Sequence, residues 1–334
     1  MSVFEFAASR SRYILFSLFL SLVFSGWVNA SPSQGDGCQA CHKDDPHKKP
    51  IHAGDGCKTC HGVDMKPAGM AESEESQLVA VPRNGLLPGM RFEMYPQRSR
   101  LGDAPNEMIQ IPAGTFIRGS NERLADEGPQ HDVDLPAFYI DKFEVTNLQY
   151  KKYVDDVGRR SPEHFDARMY PEGTADHPVT FVSWRDAKRY CEWAGKRLPT
   201  DIEWEKAARG TDGRTFPWGN EFQMDAANTP VRWENLKMEG DTTPVGSFEA
   251  GISPYGVYDM SGNVWEWTAS WYMQYPGNTR KTENYGKKYR TLKGGSWWDC
   301  SFYQCGISAP VYNRSFFSPK VKNSSFGFRC AKDA

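Results

Sequence analysis

The chain has 334 residues, of which 39% are hydrophobic and 25% are charged, and its formal net charge is −2 at pH 7. This balance argues against nucleic acid as a partner, because binding to a phosphate backbone requires an excess of positive charge. Eleven Trp, 15 Tyr and 19 Phe supply aromatic bulk for a packed core, while 30 Gly and 22 Pro indicate many loops around it. The length suits one large domain with a small additional segment.

Residues 1–30 have the pattern of a signal peptide for export. Arg10 and Arg12 precede the apolar run YILFSLFLSLVF, and residues 28–30 (VNA) offer small side chains at a cleavage position. The run is shorter than the roughly 20 residues that cross a bilayer, which favours cleavage over the alternative of an uncleaved anchor. We therefore predict a periplasmic or otherwise exported protein without a transmembrane segment after cleavage, in an oxidising compartment where disulfides persist.

Residues 31–63 contain two C-x-x-C-H motifs. This motif is typical of covalent haem attachment, in which two thioether bonds fix the macrocycle and the adjacent histidine ligates the iron. The segment resembles the doubled motif of multihaem cytochromes, whose two haems lie close together. It therefore predicts two covalent c-type haems. The residues of the two motifs are Cys38, Cys41, His42, Cys57, Cys60 and His61.

A zinc site is the rival interpretation of the same four cysteines, since their C-x2-C-x15-C-x2-C spacing also fits zinc. Zinc gives no reason for a histidine directly after each pair, and it leaves His47 and His52 without a role. Two haems require two further axial ligands, which these histidines supply; Met65 and Met70 are alternative ligands that would raise the potential. So short a segment cannot bury two macrocycles, so we expect exposed haem edges and a redox partner protein.

Residues 64–104 are a predicted linker. They include the acidic cluster ESEE (72–75) and several prolines, and they show no sustained periodicity. The apolar residues Leu86, Leu87 and Phe92 are candidates for contact with the domain that follows.

Residues 105–334 show alternating strand and helix patterns. MIQIPAGTFIRG and QHDVDLPAFYIDKFEVT alternate in the manner of strands. SWRDAKRYCEWAG predicts a helix that begins after Ser183, with Asp186 three positions later as in a capping box. The residues expected on its buried face are Ala187, Tyr190, Cys191 and Ala194. PTDIEWEKAARG predicts a second helix with the same capping pattern, formed by Thr200 and Glu203, that ends at Gly210.

A series of motifs in this region carries a resemblance to a known family. The motifs are EMIQIPAGTFIRGS, DEGPQHDVDLPAFYIDKFEVTNLQY, HPVTFVSWRDAKRYCEWAGKRLPTDIEWEKAARG, FPWGN, DTTPVGSF, YGVYDMSGNVWEWT, KGGSW and FGFRC. In this order they resemble the formylglycine-generating enzyme, or sulfatase-modifying factor, family over roughly residues 107–331. The resemblance implies an α+β, variant C-type-lectin-like fold with little regular secondary structure, built around bound calcium. The simplest interpretation of the tryptophans is core packing: Trp204, Trp218, Trp265 and Trp267.

The resemblance also implies which residues bind calcium. Asn263 and Glu266 in SGNVWEW would supply one site, and Asn228 and Asp241 would supply a second. Hard oxygen ligands of this kind can cross-link loops that no sheet holds together. For Asp241, an ordinary surface or capping role is the alternative interpretation.

The chemistry of the resembling enzymes depends on cysteines. Two thiolates separated by four residues bind copper(I), dioxygen reacts there, and a sulfatase cysteine becomes formylglycine; here the catalytic pair would be Cys300 and Cys305. A second pair is structural, and it would be Cys191 and Cys330. In the loop-entropy model the long bridge removes about 5 kcal/mol of unfolded-state entropy and a short one about 2 kcal/mol. A C-x4-C pair is therefore better explained by redox or metal chemistry, with a short disulfide as the alternative.

The chain departs from the enzymes around this pair. Three residues (297–299) precede the first cysteine where the oxidases have two, and residues 306–308 (GIS) replace a stretch rich in Arg and Tyr. Two functional hypotheses follow. In the first, the domain is a copper-dependent oxidase of a sulfatase-type substrate that receives electrons from the haems. In the second, the domain has no chemistry of its own and docks an electron carrier to a respiratory or other redox partner.

Overall fold

The computed structural model describes residues 99–298 and 309–334 as an α+β fold. The helices in these ranges are α1 (Asn147–Asp156), α2 (Trp184–Trp193), α3 (Asp201–Arg209) and α4 (Pro230–Leu236). The strands are β1 (Met108–Ile111), β2 (Gly114–Arg118), β3 (His131–Leu135), β4 (Phe138–Asp141), β5 (Trp265–Trp271), β6 (Arg290–Lys293), β7 (Ser315–Phe317), β8 (Phe326–Gly327) and β9 (Ala331–Asp333). Long connections join these short elements, which confirms the prediction of a mixed, loop-rich fold.

The strands form three small sheets. β4 lies between β1 and β9 and pairs with both in the antiparallel sense, while β2 and β3 form a separate antiparallel pair. The third sheet has the order β7-β6-β5-β8, in which β5 and β8 run parallel. The motifs predicted as strands supply β1 to β4. The second strand motif, however, does not continue to Thr146, because β4 ends at Asp141 and Thr146 begins a helix.

The two predicted helices are confirmed together with their capping boxes. Ser183 accepts a hydrogen bond from the backbone N–H of Asp186, whose carboxylate in turn accepts one from the N–H of Ser183, and α2 begins there. Thr200 and Glu203 make the same exchange before α3, which ends at Gly210 with a φ of 70°. Such exchanges satisfy N–H groups that a helix terminus leaves without partners.

The apolar core has two main parts. One lies between α1, α2 and the sheet of β5 to β8 and contains Trp265 and Trp267; the other surrounds Trp204 on α3. Trp218 differs from the core prediction, since it is only partly buried and stacks on Phe216 with ring centroids 5.1 Å apart. Most of the motif tryptophans are therefore structural.

Charged side chains are also buried, in a cluster that we call the paired region. Lys293 and Arg209 both reach the carboxylate of Glu205, at 3.0 Å and 3.1 Å. Arg118 lies 2.7 Å from Asp201. These contacts tie β2, α3 and β6 together, because each carboxylate on α3 bonds to a cation from another part of the chain. Among the described residues, no helix is long and apolar enough to cross a bilayer.

Candidate functional site

Most of the predicted cofactor residues lie outside the described ranges. Residues 38–61, with both C-x-x-C-H motifs and His47 and His52, precede residue 99, and Cys300 and Cys305 fall within 299–308. Their roles remain predictions. The structure does describe the scaffold on both sides of residues 299–308 and the four residues expected to bind calcium.

The other two cysteines of the domain are joined to each other. Cys191 on α2 forms a disulfide with Cys330, which directly precedes β9, and their Cα atoms are 5.6 Å apart. Both residues are fully buried. The bridge connects the helix of the YCEWAGKRLPT motif to the GFRC motif, as the resemblance implied.

A single loop holds both flanks of the segment that carries Cys300 and Cys305. The N–H of Trp297, on one flank, donates to the carbonyl of Asn263 at 2.9 Å. The carbonyl of Ala309, on the other flank, accepts from the hydroxyl of Ser261 at 2.6 Å. We call residues 261–263 the SGN loop. Since its two anchoring residues are separated by one glycine, Trp297 and Ala309 are attached to the domain at almost the same place.

The SGN loop is packed too closely for any residue but glycine at its centre. Gly262 has a φ of +83°, and a Cβ atom there would lie 2.2 Å from the carbonyl oxygen of Asn228. The N–H of Gly262 donates to the carbonyl of Gly294 at 2.8 Å, which fixes the loop against the end of β6. A side chain at this position would therefore displace the SGN loop from the backbone of Asn228.

The structure brings Asn228, Asp241 and Asn263 together. The amide nitrogen of Asn228 donates to the carbonyl of Asp241 at 2.8 Å and to Oδ1 of Asn263 at 3.1 Å. The N–H of Thr243 also donates to Oδ1 of Asn263, at 3.0 Å. The residues expected in two calcium sites thus form one hydrogen-bonded group beside the SGN loop, while the carboxylate of Asp241 itself is exposed and bonds to Thr242.

Glu266 is separated from this group. Its carboxylate accepts two hydrogen bonds from Arg329, both at 2.7 Å, and one from Nε1 of Trp204 at 2.9 Å. The amide nitrogen of Asn263 instead donates to Glu144 at 2.6 Å. Asn263 and Glu266 are three positions apart in sequence, but their side chains have different partners.

Sequence reasoning missed two buried carboxylates close to Glu266. Glu144 accepts from the N–H of Val264, and Asp259 accepts from the N–H of Gly246 at 2.7 Å. Together with Glu266 and Arg329 they form what we call the acidic region, in which three carboxylates face one fully buried guanidinium. Both residues lie within motifs quoted above, Glu144 in EVT and Asp259 in YDMSGN. The signal available in the sequence was the presence of an acidic residue in each motif.

The charges of the acidic region are incompletely balanced. Burial, and next the negative charges of Asp259 and Glu266, raise the pKa of Glu144 well above its usual range. Burial also raises the pKa of Asp259 to about 6. Burial opposes the charge of Arg329, but Glu266 and Glu144 raise its pKa. A hard cation would lower the energy of this excess of carboxylate oxygens. Within the described residues, no three His, Cys, Asp or Glu side chains converge as a metal-ligand set, so backbone and amide oxygens would have to complete the coordination.

Comparison with known proteins agrees with the motifs. Residues 93–334 match the model of the sulfatase-modifying factor enzyme 1-like domain. The formylglycine-generating enzyme of Bos taurus is 32% identical over 289 residues, which cover 69% of this chain and 75% of the relative. The serine/threonine-protein kinase Pkn1 of Chlamydia trachomatis is 35% identical over 289 residues, which cover 78% of this chain but only 45% of the kinase.

A solved structure shares the same architecture. PvdO from Pseudomonas aeruginosa is 26% identical, with a TM-score of 0.51, and the match covers 69% of this chain and 95% of PvdO. The fold, the ordered motifs and the match over most of the chain lead to the same assignment. The chain belongs to the family of the sulfatase-modifying factor enzyme 1-like domain.

Proposed function

We propose that this domain is an oxidase of protein thiols in which Cys300 and Cys305 bind copper(I), and that the preceding dihaem segment supplies its electrons. The observation that carries the proposal is the disulfide between Cys191 and Cys330. Residues 105–334 contain four cysteines, so this bridge leaves Cys300 and Cys305 as the two that it does not use. Two soft thiolates five positions apart suit a soft monovalent metal.

The proposed reaction converts a cysteine side chain of a sulfatase-type substrate into an aldehyde. One thiol, one dioxygen molecule, two electrons and two protons yield one aldehyde, one hydrogen sulfide and one water. Two haems that each deliver one electron would meet this requirement. Copper(I), when bound, supplies the site at which dioxygen is reduced. The protein's part would be to hold the two thiolates in place, and the hydrogen bonds of the SGN loop to Trp297 and Ala309, on the two flanks of the segment, support this role.

Calcium at the acidic region is the second part of the proposal. Arg329 engages neither Asp259 nor Glu144 by a hydrogen bond among the described contacts, and Asp259 lies three positions before the glycine of the SGN loop. A calcium ion bound to Asp259 and to neighbouring carbonyl and amide oxygens would offset the negative excess. It would also stiffen the loop that anchors residues 299–308.

Copper(I) titration of the reduced protein tests the oxidase. Competition with a copper(I) chelator is expected to show one tightly bound ion in the wild type, and Cys305→Ser should abolish this binding. Ser301→Ala, in the same segment, is the matched control and should bind as the wild type does. Equal, weak binding by all three proteins would refute the copper site.

Electron transfer alone is the second candidate function. The domain matches less than half of the Pkn1 kinase, whose name states another activity, so the same fold occurs in proteins of different function. In that case Cys300 and Cys305 would form a short disulfide, and the domain would dock the dihaem segment to a redox partner in the exported compartment. A pyridine haemochrome assay that finds no haem, together with elemental analysis that finds zinc, would reject both candidates.

A further inference from the structure

Helix α4 presents an apolar surface that the described part of the chain leaves uncovered. None of the residues of α4 is buried. Leu236 is 45% exposed, and Met238, two positions after the helix, is 61% exposed. Trp233 lies on the same helix three positions before Leu236, so the two side chains are neighbours on the helix surface. We call Trp233, Leu236 and Met238 the α4 face.

The α4 face is anchored beside the flank of residues 299–308. Nε1 of Trp233 donates to Oδ1 of Asn228 at 2.6 Å. A Cβ atom on Gly240 would lie 2.9 Å from the ring of Trp233 and 3.0 Å from the ring of Trp297, so both rings close on this glycine. The α4 face therefore continues into Trp297, which precedes the segment that carries Cys300 and Cys305.

The first described residues, Ser99 and Arg100, are held near Val245, and a short stretch of backbone connects Val245 to the α4 face. Oγ of Ser99 donates to Asp176 at 2.5 Å, and Arg100 donates to the carbonyl of Val245 at 3.0 Å. Residues 240–245 connect Val245 to Gly240 at the α4 face. Five residues of extended chain span about 17 Å at most, so Val245 lies within roughly that distance of Gly240, and Ser99 lies near Val245 through Asp176.

The sequence just before Ser99 has the pattern of an extended apolar segment. Residues 89–95 (GMRFEMY) lie between Pro88 and Pro96, and Pro96 disfavours helical backbone at the residue before it. Met90, Phe92 and Met94 alternate, so an extended chain presents all three on one side. Phe92 is seven residues from Ser99, a reach of about 24 Å, which is sufficient to arrive at the α4 face.

We propose that residues 89–95 dock on the α4 face, with Met90, Phe92 and Met94 against Trp233, Leu236 and Met238. The docked segment buries apolar surface on both sides. Its course past Trp297 would direct the upstream residues 38–61 toward the segment with Cys300 and Cys305. That consequence rests on the proposed function, whereas the docking itself does not.

Limited trypsin cleavage of the full-length protein tests the docking. Arg91 lies inside the docking segment, and Arg83, in the same linker but outside it, is the internal reference. Cleavage after Arg91 is expected to be at least about tenfold slower than after Arg83, since proteolysis follows the population of the open form. Equal cleavage at the two sites in the wild type would overturn the proposal.

Substitutions on either side of the proposed contact test whether the α4 face is the surface that protects Arg91 from cleavage. Leu236→Asp and Phe92→Asp should each raise cleavage after Arg91 about tenfold, because each removes the burial of one large side chain. The double variant should be no faster than either single variant, since both changes remove the same contact. Val157→Asp is the matched control, an apolar residue 42% exposed just after α1, and should leave cleavage unchanged.

Two further results would contradict the proposal. Rates that add up in the double variant would show that Phe92 and Leu236 do not meet. Protection of Arg91 that is lost on dilution would assign the α4 face to a second copy of the chain. Copper(I) binding is measured separately, so failure of the oxidase proposal would leave the cleavage result unaffected.

Discussion

The paired region and the acidic region both bury carboxylates, yet the pKa values of these carboxylates shift in opposite directions in the two regions. Burial disfavours the charged form in both. In the paired region the cations outweigh it: Lys293 and Arg209 lower the pKa of Glu205, and Arg118 and Arg314 lower that of Asp201.

In the acidic region one buried guanidinium faces three carboxylates, Arg100 adds only a smaller effect on Asp259, and the pKa values of Glu144 and Asp259 rise. The depth of burial therefore does not decide the charge state; the number of facing cations does. The paired region balances its carboxylates with its own cations, whereas the raised pKa values of the acidic region indicate that the cations of the described residues compensate its carboxylates less fully.

The largest effect is expected in the paired region. Glu205→Gln preserves the shape but leaves Lys293 and Arg209 buried without a counter-charge, which should lower the free energy of unfolding by about 3 to 5 kcal/mol. Urea denaturation at pH 7 measures this change. Glu192→Gln is the matched control, because its pair with Lys188 lies on the surface, and it should be nearly neutral. A similar small loss in both variants would contradict the comparison.

Calcium should have the next largest effect. After chelator treatment, calcium at about 100 times its dissociation constant should stabilise the protein by about 2.7 kcal/mol and raise the melting temperature. Asp259→Asn should remove most of this response, and Glu192→Gln should retain it. Thermal unfolding with and without calcium provides the measurement. An undiminished response in Asp259→Asn would place the ion elsewhere.

The third prediction concerns His164, whose effect on stability should have the opposite pH dependence to that of the raised carboxylates in the acidic region. Burial lowers the pKa of His164 to about 4, and its Nε2 lies 3.1 Å from the side-chain oxygen of Asn147. Because the unfolded chain takes up this proton first, the stabilisation is complete above about pH 6.5 and is lost as the pH falls toward 4. The loss should reach about 1 to 3 kcal/mol, and His164→Gln should flatten it. The measurement is urea denaturation between pH 7 and pH 4.5. If the free energy of unfolding falls with pH equally in the wild type and in His164→Gln, His164 is not responsible.

The smallest effect is expected for Asp259→Asn in chelator at pH 7. The amide oxygen can still accept the hydrogen bond from Gly246, and the substitution removes a charge that Glu144 and Glu266 repel. The free energy of unfolding should change by less than about 1 kcal/mol. A loss as large as that of Glu205→Gln would mean that the acidic region is also balanced internally.

The sequence predicted the elements whose causes are local. The capping boxes at Ser183 and Thr200 predict α2 and α3. They can be recognised in the sequence because the residues that exchange hydrogen bonds are only three positions apart. Helix α1 was missed although Thr146 and Gln149 form the same device, since the preceding alternation was extended through Thr146 as a strand. Competing local patterns are thus resolved only by the tertiary structure.

The candidate site was less accessible to sequence reasoning, because its contacts are distant in the chain. Arg329 and Glu266 are 63 positions apart, and Asn263 and Glu144 are 119 apart. The family resemblance grouped Asn263 with Glu266, whereas the fold gives their side chains different partners. The haem motifs and the C-x4-C pair remain predictions from spacing and resemblance.

The position of β9 beside β4 determines when the domain can finish folding. The N–H of Cys330 bonds to Asp141, 189 positions earlier, and β9 completes the sheet that β4 shares with β1. During synthesis the earlier strands emerge long before this partner, so the edge of β4 that β9 covers stays open until residues 330–333 arrive. A truncation before residue 330 is therefore expected to leave this edge open and to increase susceptibility to proteolysis and aggregation.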